Sequence, residues 1–439
     1  MRLERVEIAG FRGLKRLSLT FDELTTLIGE NTWGKSSLLD ALSLVLPTDG
    51  QLHQFELRDF HVDHLASQPQ SQHIQIVLKF KAVFEKEIYS GRYRKIRPIW
   101  VEDDNSDHHI IYRITASRNQ NKIETSYCFL DLDGEKLSLH HSEKLAQELM
   151  VLHPVIRLRD ARRLSRTNEH DRLSNDRLEK RINNTSRRFL SHPGHMNKGE
   201  IRSSFESMRN LIDHYFSFQS NNRYDPKKPR DGLYNTTNAL GPKAIQKLAS
   251  DNKDKQTRLL LLTLLNAFLH AKGPNELRRC ARPILIIEDP ESRLHPTHLA
   301  RAWALLQALP MQKLLTTNSA VLLGAVPLSS IKRLVRHSDK TTATSIPQTL
   351  LSRDELRRVG FHIRFHRSSA LFARCWLLVE GETEVWLFNE LAKLCGYDLA
   401  SAGVQIIEFA QSGLKSLVKV AQSFGIDWHV VTDGDAAGK

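Results

Sequence analysis

The sequence predicts an α/β fold in two units, and three observations carry that expectation. A short apolar strand, Leu24 to Ile28, runs straight into the glycine loop Gly29-Glu30-Asn31-Thr32-Trp33-Gly34-Lys35-Ser36-Ser37, after which Leu38, Leu39, Ala41, Leu42 and Leu46 recur at helical spacing. A second buried-type strand, Ile284 to Ile287, ends in Glu288-Asp289. Near the C-terminus, Trp376 to Val379, Val404 to Phe409 and Trp428 to Val431 alternate with helical segments, the order of a further α/β unit.

Taken in order, Arg2 to Phe21 alternates apolar and polar residues around Gly10 and Gly13, the pattern of a bent pair of strands. Strand, glycine loop and helix follow over Leu24 to Leu46. Between residues 70 and 140 the pattern alternates again, with Ile74, Ile76, Leu78 and Phe80 in one run and Ile123, Thr125, Tyr127 and Phe129 in another. An antiparallel sheet is expected there, with Asp133-Gly134 as a hairpin-type turn. Residues 157–253 read as a basic insertion of helices and loops; Arg157 to Arg188 alone holds eleven Lys and Arg against five Asp and Glu. The apolar stretch Leu259 to Leu269 suits a core helix and falls well short of the ~20 apolar residues a membrane span needs. A further strand, Leu314 to Thr317, meets Asn318-Ser319. Residues 337–367 are basic and weakly patterned, as expected of a linker, and the last unit spans 368–439.

The composition fits this organisation. A chain of 439 residues has room for two to four domains, and 40% hydrophobic with 26% charged residues is ordinary for a globular protein. The net charge of +13 favours a polyanionic partner. Two basic segments could track a phosphate backbone: Arg157 to Arg188, and Tyr89-Ser90-Gly91-Arg92-Tyr93-Arg94-Lys95 on the antiparallel sheet, which mixes aromatics with cations. A solvated face with ion pairs explains either equally well. The four cysteines, Cys128, Cys280, Cys375 and Cys395, form no CxxC and no zinc-type spacing with histidine. A reduced, cytoplasmic protein with no membrane partner is expected, since the N-terminus also lacks an apolar signal region.

Gly29-x4-Gly34-Lys35-Ser36 matches the P-loop pattern in its required context of strand before and helix after. Glycines are needed because backbone N–H groups must turn inward and approach phosphate oxygens closely, with the helix N-terminus adding partial positive charge. Gly29, Asn31, Gly34, Lys35, Ser36 and Ser37 are the expected nucleotide cradle, Lys35 on the β/γ-phosphates and the Ser36 hydroxyl on Mg²⁺. Such a site also needs an acid at the end of a neighbouring strand, and Glu288-Asp289 supplies it. Alone, an acidic pair equally well ends a strand and caps the next helix.

These residues carry a resemblance. FRG near the start, the GENTWGKSS loop, IIEDPESRLHP and the TTNS turn resemble the ABC-type ATPase head of the class that includes SMC and RecF proteins, and more closely the OLD family of ATP-dependent endonucleases. The resemblance implies Glu288 as the Walker B acid, Asp289 as the water-orienting acid, Leu294-His295-Pro296 as a segment facing a second head, and a homodimer that sandwiches ATP. Two positions depart from the pattern. The usual switch histidine is Asn318, which hydrogen-bonds but carries no proton, and the signature segment Leu248 to Lys253 keeps Ser250 while losing its glycines. Slow turnover, or ATP used as a switch, is expected.

A second acidic site follows. Glu380-Gly381-Glu382-Thr383-Glu384 succeeds the strand Trp376 to Val379, and Asp433-Gly434-Asp435 succeeds Trp428 to Val431. Carboxylates at the ends of two strands of one parallel sheet can converge on one edge, where hard oxygen ligands suit Mg²⁺ or Mn²⁺. Singly, Asp-Gly-Asp is as readily a plain turn. Together the halves resemble a TOPRIM domain, which implies Glu380, Asp433 and Asp435 as metal ligands and catalytic groups, with Glu384 toward a second ion. The chain stops at Lys439, four residues after Asp435, so the TOPRIM unit is expected to be incomplete.

The whole resemblance implies an ATPase head over residues 1–336 and an ATP-regulated, metal-dependent DNA endonuclease, dimeric and acting in phage defence or repair. The alternative is a RecF/SMC-like DNA-binding ATPase switch whose TOPRIM remnant does not cut.

Overall fold

The structure, a computed structural model, describes residues 1–63, 70–119, 122–158, 267–273, 277–278, 280–292, 296–307, 311–347, 349–363 and 367–432, with a few single positions besides. The chain opens with β1 (Arg2–Phe11), β2 (Leu14–Thr20), β3 (Leu24–Ile28) and helix α1 (Lys35–Val45). Then come β4 (His73–Lys81), β5 (Val101–Glu102), β6 (His108–Asn119), β7 (Lys122–Leu130), α2 (Ser142–Leu152) and β8 (Val155–Leu158). After the insertion follow β9 (Ile284–Glu288), α3 (Pro296–Gln307), β10 (Lys313–Thr316), α4 (Ala320–Ala325), β11 (Ile331–Arg336) and β12 (Thr341–Thr344). The last elements are α5 (Arg353–Phe361), β13 (Cys375–Val379), α6 (Glu382–Leu394), β14 (Val404–Glu408), α7 (Leu414–Phe424) and β15 (Asp427–Val430).

Twelve strands form one mixed sheet in the order β5-β6-β4-β1-β2-β12-β11-β3-β10-β9-β8, with β7 pairing on β6. One end, β1, β2, β4, β5, β6 and β7, is antiparallel, as the alternating patterns required. At the other end β11, β3, β10, β9 and β8 run parallel and are largely buried, even Lys332 and Arg333 of β11 being 5% and 3% exposed. The core divides accordingly. Along β9, Leu285 and Ile287 join one cluster while Ile284 and Ile286 join the other, so the two clusters lie on opposite faces of the sheet.

Two expectations change here. Residues 337–367, expected to be a linker, supply β12, which sits in the large sheet between β11 and β2, and α5, whose Val359 is fully buried. Four residues of Thr-Thr-Ala-Thr show no alternation long enough to read as a strand. Tyr89 to Lys95 lies in short 3₁₀ turns and not on the sheet; Tyr93 is fully buried, its hydroxyl donating to Glu87 Oε1 at 3.1 Å, and Lys95 pairs with Glu148 at 2.6 Å. Tyr93 is therefore core, while Tyr89 is 69% exposed.

The second sheet, β14-β13-β15, is wholly parallel. It shares the first core: Trp376, Leu378, Ile407 and Phe424 pack with Ile28, Leu328 and Ile331 of the large sheet's face. Trp376 is fully buried and its indole N–H donates to Ala370 O at 2.8 Å. Trp376→Ala should therefore destabilise the whole chain by about 3–5 kcal/mol, the cost of a large buried aromatic. A thermal melt losing only the C-terminal unit, with the rest unchanged, would refute a shared core.

Candidate nucleotide and metal sites

Parallel register assembles the first site. Thr316 of β10 sits opposite Leu27 of β3 on one side and Glu288 of β9 on the other. The three strands therefore end level, and the Gly29 loop, Thr317-Asn318 and Asp289 all leave the same edge of the sheet. One strand separates the loop strand from the acidic strand.

The loop's glycines are forced by space and conformation. Gly29 and Gly34 have φ of 142° and 94°; a Cβ at Gly34 would lie 2.3 Å from Leu14 Cδ2, and one at Gly29 would lie 2.9 Å from the Leu334 carbonyl oxygen. Lys35, 5% exposed, donates from Nζ to the Gly29 carbonyl and to Asn318 Oδ1 at 3.1 Å. Burial pushes its pKa down, and the nearby Asp289 and Glu291 carboxylates push the other way. Ser36 and Asn31 are exposed, while Ser37 Oγ accepts the Gly13 N–H at 3.2 Å and so ties the FRG turn to the loop.

Asp289 adopts φ 41°. Its N–H donates to Thr316 O at 3.1 Å, and the Thr316 hydroxyl donates to its Oδ1 at 3.1 Å. Glu291, within the IIEDPESRLHP segment, has a role that the segment's pattern does not signal: it accepts the Asn318 N–H at 2.6 Å and the Thr317 hydroxyl at 3.0 Å. It fixes the turn that aims Asn318 at Lys35. Glu288 faces elsewhere: Arg157 grips it with two bonds, Nε to Oε2 at 2.8 Å and Nη2 to Oε1 at 2.9 Å, and also donates to Asp40. Asp40 in turn accepts from Arg12, whose Nε and Nη2 reach Asp59 Oδ1 at 3.0 and 2.8 Å. Arg157, expected in a DNA-tracking cluster, is committed to this inner chain of ions.

The second site is half described. Val379 lies opposite Glu408 on β14, and Leu378 opposite Val430 on β15, so Glu380, Phe409 and Val431 leave one edge of the small sheet. Glu384 Oε2 accepts the Gly381 N–H at 2.9 Å, closing the first turn of α6. Glu408, 8% exposed, is a further acid on this edge and accepts from Arg367 at 3.1 and 2.8 Å. Asp433, Asp435, Ser250, residues 294–295 and nearly all of 157–253 lie outside the described residues.

Among the described residues, one cluster meets metal-ligand spacing away from both edges: Asp103, Asp107 and His109, by the turn between β5 and β6. Lys81 already donates its ammonium to Asp107 there. No helix among the described residues is long and apolar enough to cross a membrane.

Fold and geometry together define an α/β P-loop protein joined to a TOPRIM unit. The family model described as Protein of unknown function (DUF2813) matches residues 1–370, and the chain belongs to that family. The model described as Overcoming lysogenization defect protein-like, TOPRIM domain matches residues 371–435, in keeping with the OLD resemblance of the motifs. Uncharacterized protein YbjD of Escherichia coli (strain K12) is 42% identical over 444 residues, covering 100% of this chain and 80% of that protein. Among solved structures, the SMC head domain from Thermotoga maritima is similar at 12% identity and TM-score 0.38, over 79% of this chain and 100% of that one. The Smc head domain with an extended coiled coil bound to the C-terminal domain of ScpA, derived from Pyrococcus furiosus, is similar at 13% identity and TM-score 0.39, over 82% and 99%. At these scores neither likeness carries a property of those proteins to this chain.

Burial first, then the neighbouring Glu291 carboxylate, raises the Asp289 pKa. Between the ordinary carboxylate value and the raised native value the folded state holds more protons than the unfolded chain, so stability falls as pH rises through that window. Asn keeps an oxygen for the Thr316 hydroxyl and removes the charge. Asp289→Asn should flatten the fall and raise the ligand-free Tm at pH 7 by roughly 1–3 °C, read by thermal melts from pH 4 to 8. An unaltered pH slope would show that Asp289 ionises without penalty.

Proposed function

We propose that the chain is an ATP-regulated, divalent-metal-dependent DNA endonuclease of the OLD type, binding nucleotide at the P-loop edge and cutting at the TOPRIM edge. The observation that carries the nucleotide half is the meeting of Lys35, Asn318 and Asp289 where β3, β10 and β9 end level. Lys35 is held ready: its buried ammonium rests on Gly29 O and Asn318 Oδ1, and a phosphate oxygen would replace those neutral acceptors with a charged one. The donor set fits: the loop's side-chain-free glycines leave N–H groups open to phosphate, and the Ser36 hydroxyl is exposed beside them. Mg²⁺ would sit with Ser36 and Glu288 and neutralise charge developing on the phosphates. Asp289 and Asn318 would orient water and the terminal phosphate.

At the TOPRIM edge, Glu380, Asp433 and Asp435 would hold Mg²⁺ or Mn²⁺, with Glu384 toward a second ion. The metal's contribution is to activate water and stabilise charge on the phosphodiester. DNA as partner rests on the +13 charge and on the TOPRIM match. Pairing of two heads into a homodimer is part of the same reading.

One observation favours slow turnover, as in a switch. Glu288 must give up a two-bond arginine clamp before both its oxygens can serve a metal.

Lys35→Ala is expected to abolish binding of a fluorescent ADP, and unchanged affinity would sink the P-loop assignment. Glu288→Gln should leave nucleotide binding largely intact while lowering Mg²⁺-dependent hydrolysis by roughly 10²-fold, the scale of losing one preorganised electrostatic group. Nicking of supercoiled plasmid with Mg²⁺ or Mn²⁺ tests the second edge. Glu380→Ala should lose it, cutting that survives in this variant would come from elsewhere, and DNA binding without cutting in the wild type would favour the switch reading.

A further inference from the structure

The P-loop pattern prescribes Gly29, Gly34, Lys35 and Ser36 and leaves four positions between the glycines chemically open. Three of those four are touched by arginines. Arg374 Nε donates to Glu30 Oε1 at 2.7 Å, Arg336 Nη1 donates to the Thr32 carbonyl at 3.2 Å, and the Arg333 guanidinium carbon lies 5.4 Å from the Trp33 ring centroid. Arg333 and Arg336 stand on β11, which pairs with the loop's own strand β3, and Arg333 is opposite Ile28.

Two of these arginines, Arg333 and Arg374, also tie the loop to the TOPRIM unit. Arg333 is 3% exposed, and its fork donates to Phe424 O at 2.9 Å, Gly425 O at 2.7 Å and Ala373 O at 2.9 Å. Ala373 lies two residues before β13, and Gly425 two residues before β15. Arg374 belongs to that unit by sequence and by its N–H bond to Gly403 O at 2.8 Å. Thr344 Oγ1 of β12 donates at 3.0 Å to Arg333 O and also reaches Phe424 O at 3.1 Å, bracing the joint from the next strand.

We propose that nucleotide at the P-loop regulates the TOPRIM edge through Arg333, with Arg374 and Arg336 as its outer contacts. This inference rests on the reading that the loop binds nucleotide. The buried Arg333 guanidinium lies over Trp33 and is bonded to three carbonyls, so a shift of Trp33 that Arg333 follows carries those carbonyls with it or strains their charge-assisted bonds. It is delivered at the starts of β13 and β15. Those strands are short, and Glu380 follows the far end of β13, roughly 16 Å away at ~3.3 Å per residue. Coupling of this kind is reciprocal, so a ligand at the TOPRIM edge alters nucleotide affinity by the same factor.

Hydrogen exchange of the full chain, with and without saturating Mg²⁺-ADP or a non-hydrolysable ATP analogue, tests it beside a direct titration of fluorescent ADP. In the wild type, nucleotide should change exchange several-fold in peptides covering 373–379 and 424–430. Arg374→Ala should weaken that response, and Arg333→Lys, which keeps the charge but loses the fork, should remove it. Arg374 is exposed, so its variant tests the route without endangering the core. Swapping the pair, Glu30→Arg with Arg374→Glu, should restore the response. Nucleotide binding with unchanged exchange in the wild type, or equal responses in the wild type and both arginine variants, overturns the coupling alone. A wild type that binds no nucleotide overturns the P-loop reading and the coupling with it.

Discussion

The burial of one ammonium group organises the head. Lys35 sits at the first turn of α1 with 5% of its surface exposed, where a charge is costly unless its hydrogen bonds are met. The Gly29 carbonyl and the Asn318 side-chain oxygen meet them, while Asp289 and Glu291 supply the opposing field. Each of those groups is available only because β3, β10 and β9 run parallel and stop level. Antiparallel pairing, or a slip of one residue in register, would carry Asn318 or Asp289 away from the lysine. The fold thus precedes the chemistry, and a charged loop is tolerable because three strand ends were brought to it.

A second set of charges runs beside the first and keeps Glu288 out of it. Arg12, Asp40, Arg157 and Glu288 form a continuous chain that ends on Asp59 at the other side of Arg12. Arg157 is nearly buried, and removing one member of such a chain leaves an uncompensated charge, typically worth about 3–5 kcal/mol. An acid held this firmly is well placed and poorly available. In the proposed function that clamp and Asn318, which carries no proton, would act in the same direction, toward slow hydrolysis.

What the sequence made legible was local. Strand, glycine loop and helix follow one another without interruption, so periodicity and spacing carried the P-loop, and the acidic end of β9 came with its apolar run. The contents of the site were less accessible because they depend on strand pairing. Arg157 lies 117 residues from Asp40 and 131 from Glu288, and the basic stretch it opens reads as surface. Only β8 pairing with β9 turns it inward. Glu291 was in plain view within IIEDPESRLHP, yet its role as the clamp on Thr317-Asn318 required β10 to lie next to β9. β12 escaped for the opposite reason: with four residues it gains its conformation from β2 and β11, and it has no pattern of its own.

The TOPRIM edge poses a constraint that sequence spacing alone does not reveal. Glu384 spends Oε2 on the Gly381 N–H, an orphan donor at the start of α6. A metal at Glu384 must therefore use Oε1, or displace a cap worth about 1 kcal/mol. Glu380 precedes Gly381 and leaves directly from the end of β13. The two acids of Glu-Gly-Glu-Thr-Glu that the resemblance joins are thus unequal: one leaves the end of a strand, the other is a helix group with one oxygen on the Gly381 N–H. In the proposed metal site Glu384 would join an ion through Oε1 while Oε2 keeps the turn that positions it.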